Sequence, residues 1–131
     1  MNPSDLFSAA FLRQAAQELQ AMIDAAVGIR SAVLATVDGF AVASAQTDGS
    51  DSARMAALAS SIASIASVAT QEAGLGRCAS VTLNTDQGFA VVRQLRRDGH
   101  DLVMIGISDG QALQAQVMYQ ANQFARRLES A

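Results

Sequence analysis

The side chains with the most intrinsic reactivity occur once each: one histidine, His100, and one cysteine, Cys78. A general acid or base needs a positioned nucleophile or carboxylate partner. His100 has Asp101 beside it, but it closes the turn-like run Arg96-Arg97-Asp98-Gly99-His100, where an imidazole is ordinarily solvated. Cys78 follows Arg77, and a cationic neighbour is one setting of a reactive thiolate. It also opens a strand-like segment, where a small half-buried residue is the ordinary reading. One cysteine and one histidine leave no intramolecular disulfide, no cysteine metal cage and few zinc or triad arrangements. No catalytic residue, metal site or cofactor is therefore assigned. Gly74-Leu75-Gly76 lacks the context of a dinucleotide fingerprint, because a helix precedes it and a strand follows. A phosphate loop with Gly-Lys-Ser is impossible in a chain without lysine.

The remaining chemistry lies in arginine. Arg96-Arg97 could attract a phosphate or an acidic partner, although two arginines in a tight turn are commonly just solvated. Arg54 stands at the start of a long uncharged segment, where the helix dipole does not favour a cation. It either faces a partner surface or pairs locally with Asp51 or Asp48.

Composition points the same way. The 131 residues are 50% hydrophobic and 16% charged, with a net charge of −3, a pI near 4.9 and a mean hydropathy of +0.20. That length fits one domain, residues 1–131, with ample material for a core. Disorder is excluded on composition, and the acidic balance disfavours nucleic acid as a partner. Roughly a fifth of the chain is alanine, which favours helix and close helix approach. An interaction module fits this composition better than a catalyst.

The elements that must position these residues can be read from periodicity. Ser4 is a candidate cap for a helix from about Asp5 to Val27, in which Leu12, Ala15, Leu19, Ile23 and Ala26 share a face. Apolar runs Ile29–Val37 and Phe40–Ser44 flank Asp38-Gly39, a strong hairpin signal, and both strands read as covered on two faces. A second helix, Ser52 to Ala73, is capped by Ser50 or Asp51 and carries Met55, Leu58, Ile62, Ile65 and Ala69 in a three-four rhythm. Between Met55 and Gln71 it has no charged residue. A helix without a charged face is covered on more than one side, and in so short a chain a second copy is the simplest cover. The same stretch just reaches the length of a membrane span. Its alanines and serines gain little from lipid, so burial against protein is expected and membrane insertion is not.

Gly74-Leu75-Gly76 ends that helix. From Cys78 to Thr85, Ala79, Val81 and Leu83 alternate with Ser80, Thr82 and Asn84, the pattern of an edge strand. Strands Phe89–Leu95 and Leu102–Ile107 complete an antiparallel meander. Ser108-Asp109-Gly110-Gln111 matches a capping box opening the last helix, whose buried stripe is Leu113, Val117, Ala121, Phe124 and Leu128. The start of the chain, Asn2-Pro3-Ser4-Asp5, lacks the basic region of a signal peptide, and a cytoplasmic location is expected.

The order α-β-β-α-β-β-β-α and the residues Ala35-Thr36-Val37-Asp38-Gly39-Phe40-Ala41-Val42-Ala43-Ser44 resemble the roadblock light-chain family. Met55-Ala56-Ala57-Leu58-Ala59, Leu75-Gly76, Val81-Thr82-Leu83 and Gln87-Gly88 extend the resemblance over nearly the whole chain. It is similar to the bacterial branch, whose small members are encoded near Ras-like GTPases. The resemblance implies an α+β, profilin-like fold: a five-stranded antiparallel sheet with the first and third helices on one face and the second on the other. It also implies homodimerisation through second helices and third strands. The dimer surface then maps onto Met55, Leu58, Ala59, Ile62, Ile65, Ala66, Val81 and Thr82. Binding of a small Ras-like GTPase, with modulation of its nucleotide hydrolysis or localisation, maps loosely onto Arg54, Ser61 and Ser64. No catalytic centre is implied. A small-ligand sensor and a passive scaffold subunit are the alternative readings.

Overall fold

The computed structural model describes residues 2–47 and 49–130, so Asp48 and any pairing of Arg54 with it lie outside the described residues. After a single 3-10 turn at Pro3–Asp5, the elements are α1 (Ala9–Ala25), β1 (Ile29–Thr36), β2 (Ala41–Gln46), α2 (Ser52–Glu72), β3 (Ser80–Asn84), β4 (Gly88–Arg97), β5 (His100–Asp109) and α3 (Gln114–Ser130). The strands form one antiparallel sheet in the order β2-β1-β5-β4-β3. This is the expected five-stranded, profilin-like α+β arrangement, with β3 at an edge. The two-sided covering expected of the first hairpin holds only for β1, because β2 forms the other edge and is mostly half-exposed.

Two cores sandwich the sheet. On one face, α1 and α3 supply Phe11, Leu19, Met22, Val117, Phe124 and Leu128, which meet Leu34, Val91, Leu102 and Met104. On the other, α2 supplies only three fully buried residues, Ala56, Ala59 and Ala63, against Val33, Ala35, Val92, Val103 and Ile105. Alanine at these positions lets the helix axis approach the sheet. Arg97 locks the first face at one end: its guanidinium lies 5.0 Å from the Phe11 ring centre and donates to the Leu128 carbonyl at 3.1 Å.

Several local expectations are corrected. The α1 cap is Ser8, whose hydroxyl accepts from the Phe11 N–H at 3.1 Å; Ser4 lies in the preceding 3-10 turn. Ser108 does not cap α3. The N–H of Asp109 donates to the Gly28 carbonyl at 2.9 Å, so β5 runs on through both residues and Ser108 is buried in the sheet. The Asp109 carboxylate instead accepts from the Gln111 N–H at 2.9 Å. The helix starts later, and Leu113, expected in its buried stripe, is exposed.

The Asp-Gly pairs of the two tight hairpins behave differently. Asp98-Gly99 is a two-residue hairpin turn with φ of +50° and +80°, as a type I′ turn requires. Asp38-Gly39 belongs to a three-residue loop closed by the Thr36 N–H to Phe40 carbonyl bond of 2.9 Å, with Gly39 alone left-handed at φ +92°. Gly39 also rests against α2, where a β-carbon would lie 3.3 Å from the Ala57 Cα.

Candidate functional site

α2 presents Leu58, Ile65 and Val68 outward. Asp51 caps the helix through its carboxylate and the Arg54 N–H, at 3.2 Å. The helix then crosses the sheet, with one row buried and the rest divided into three strips.

The first strip is apolar. Met55 and Ile62 are half-buried and pack beside the α2 core together with Val81 and Ile107. Ala66 is half-buried, while Leu58 is 48% and Ile65 71% exposed. These five residues recur at helical spacing and share one side of α2. Ala59, placed with them on sequence, is 0% exposed. It belongs to the protomer's own core and is unavailable to a partner, because the three-four rhythm of large residues conceals the row of alanines that faces the sheet.

β3 adjoins this strip. It hydrogen-bonds only to β4, so its other edge has no strand partner among the described residues. Strand alternation turns Val81 toward α2. Thr82 pairs with Val91, which belongs to the opposite core, so the Thr82 side chain faces away from α2. Leu83, like Val81, lies on the α2 face, and it is exposed. Val68 and Leu75 are also exposed apolar residues, and the dimer surface mapped from sequence includes none of these three. Their signal lies in exposure, which periodicity alone does not report.

The second strip is the outward ridge. Arg54, Ser61 and Ser64 are all exposed there, brought together on the outer side of the helix. The Ser61 hydroxyl donates back to the Ala57 carbonyl at 3.2 Å. No ion pair engages Arg54 among the described residues. The third strip is polar, and on it the Ser67 hydroxyl accepts from the Gln94 side-chain amide at 3.1 Å.

The reactive residues are placed in structural roles. His100 makes an edge contact with Phe7 at 5.4 Å between ring centres. The Cys78 thiol donates to the Ser80 carbonyl at 3.4 Å. Arg96 and Arg77 both pair with Asp101, at 3.5 and 3.6 Å, and Arg97 pairs with Asp98 at 3.3 Å. α2 is long and apolar enough to cross a bilayer by length and composition. Its alanine row is nevertheless engaged against β1, β4 and β5, the cover expected from the chain's own sheet, and in the single protomer most of its other residues keep exposed surface.

Comparison with known proteins bears on this geometry. The family model described as Roadblock/LC7 domain matches residues 15–104. A Roadblock/LC7 domain from Streptomyces avermitilis is 20% identical with a TM-score of 0.77, over 86% of this chain and 92% of that one. MglB of Myxococcus xanthus is 12% identical with a TM-score of 0.82, over 95% and 90% of the two chains. The gliding protein MglB of Thermus thermophilus is 17% identical with a TM-score of 0.78, over 95% and 96%. No curated protein matches the chain.

Proposed function

The chain belongs to the Roadblock/LC7 domain family, and on that premise we propose that it is a non-catalytic regulator or adaptor that acts as a homodimer and binds a small Ras-like GTPase, modulating its nucleotide hydrolysis or localisation. The observation that carries this reading is the exposed apolar strip of α2 beside the unpaired edge of β3. Leu58 and Ile65 project from a helix with no charge between Arg54 and Glu72. A continuous apolar surface of this kind marks an interaction site in a soluble protein.

The two elements that need partners lie on one side of the protomer, since Val81 of β3 packs beneath α2. A single twofold axis can therefore satisfy both. Antiparallel pairing of β3 with its copy supplies the missing backbone hydrogen bonds, and antiparallel pairing of α2 covers Met55, Leu58, Ile62, Ile65 and Ala66. A twofold interface must be self-complementary, and a strip of small and aliphatic residues without charge meets that condition. Arg54, Ser61 and Ser64 remain on the outward ridge, where the GTPase would dock. In this reading the chain contributes contacts that reorganise the GTPase's own residues and supplies no reacting group. It works in the cytoplasm, with neither nucleic acid nor the bilayer interior as partner.

The deciding experiment is affinity capture with the purified protein in the presence of a GTP analogue or GDP, read by mass spectrometry, alongside its mass in solution by light scattering. A dimer that retains a Ras-like GTPase in one nucleotide state is the expected result. A monomer, or a dimer that retains no GTPase in either state, overturns the proposal.

A further inference from the structure

The third strip of α2 overhangs a cleft of about 380 Å³, within the size range of small-molecule sites. The cleft lies between the helix and the end of the sheet formed by β4, β5 and the residues just before β3. We propose that it binds a small hydroxylated anion, such as a sugar phosphate or a sugar acid.

Its helical wall presents Ser60, Ser64, Ser67 and Gln71 at steps of four, three and four, a hydroxyl or amide at every turn. Two hydrogen bonds fix the frame: Ser60 donates to the Val37 carbonyl, and Gln94 donates to Ser67. Ser64 and Gln71 also line the cleft, and their side chains make no hydrogen bond among the described residues. They are free to bind hydroxyl groups, which both donate and accept. The apolar part of the lining is small, Val37, Ala63 and Val103, and suits the C–H face of a sugar ring.

Charge defines the other end. Arg77 is the cation in the lining, and its partner there is Asp101. That pair is exposed and loose, with the Arg77 side chain 70% accessible at 3.6 Å. Asp101 is also held by Arg96 at 3.5 Å, so it stays paired when Arg77 turns toward a ligand. Two arginines against one carboxylate leave a net positive charge for a phosphate or carboxylate to neutralise. The cleft flanks α2 on the side away from Met55 and Ile62, so the inference stands apart from the dimer reading; it shares Ser64 with the ridge proposed for the GTPase, whereas Arg77 lies off that ridge and tests the cleft alone.

The test is a titration of the isotope-labelled full chain, following the side-chain amides of Gln71 and Gln94 by NMR. Glucose 6-phosphate, glucuronate, glucose and inorganic phosphate serve as probes. Saturable shifts are expected with glucose 6-phosphate or glucuronate, and the stronger of the two tells phosphate from carboxylate. Glucose and inorganic phosphate should each bind at least about tenfold more weakly. Arg77→Ala should cost about tenfold or more in affinity, Ser64→Phe should close the cleft, and Arg13→Ala, on the exposed surface of α1, should change nothing. The proposal is overturned by the absence of saturable shifts with both anions, by inorganic phosphate binding equally well, or by binding that survives both Arg77→Ala and Ser64→Phe.

Discussion

The side-chain amide of Gln94 donates to the Ser67 hydroxyl at 3.1 Å, joining β4 to the C-terminal half of α2. The buried alanines of α2 end at Ala63, so beyond that point the helix has no fully buried side chain and depends on polar anchorage. Gln94→Ala should therefore cost about 1 kcal/mol of stability and speed amide exchange from Ser67 to Glu72 more than from Met55 to Ala63. Equal acceleration in both halves would show that the bond does not hold this end.

Ala59→Leu should be more costly. Its β-carbon faces the sheet with no exposed surface, and a larger side chain must lift the helix or displace Val33 or Val92. Overpacking of this kind costs about 1–3 kcal/mol, measurable as a lowered midpoint of thermal or urea unfolding. An unchanged midpoint would place Ala59 outside the core.

Ile65→Asp separates assembly from folding. Ile65 is exposed in the protomer, so a carboxylate there burdens the isolated fold little, whereas at a twofold helix contact it faces apolar side chains and its own copy. Sedimentation should report a monomer with unchanged circular dichroism. Ile62→Asp discriminates less well, because Ile62 also packs against the α2 core. A soluble dimer of Ile65→Asp would remove this residue from the interface.

Arg54→Ala addresses the GTPase. If Arg54 contributes only to docking, the variant should raise the protein concentration needed for half-maximal stimulation of hydrolysis and leave the saturating rate unchanged. An arginine acting directly in the reaction is worth roughly 10³ to 10⁵ in rate. A collapse at saturation with binding intact would identify Arg54 as such a group.

Gly39→Ala tests the coupling of the first hairpin to α2. The position combines φ +92° with a 3.3 Å approach to the Ala57 Cα. A loss of about 1 kcal/mol or more is expected, measured by urea unfolding. A neutral result would mean that the loop relaxes away from the helix.

Much of the fold was legible because large apolar residues mark both kinds of period. Leu19 and Ile23 in α1, Val117 and Phe124 in α3, and the alternation of Val81 and Leu83 all lie where spacing puts them. What could not be read was set by contacts between distant residues. Ser108-Asp109-Gly110-Gln111 has the chemistry of a cap, but pairing of Asp109 with Gly28 keeps its first half in a strand. Ala59 and Ala66 are the same residue type on the same helix, yet only the first is fully buried, and nothing local distinguishes them. Arg54 and Ser61 share an exposed side of α2 because seven residues are close to two helical turns. The cleft was not legible in the sequence, since Arg77, Gln94 and Asp101 come from three separate segments.

From Met55 through Gln71 the helix carries no ionisable side chain. An association seated there releases few counterions and takes up few protons, so ionic strength and acidity have little hold on it. Temperature does, because the attraction between apolar surfaces weakens on cooling. The assembly should therefore tolerate brine and loosen in the cold.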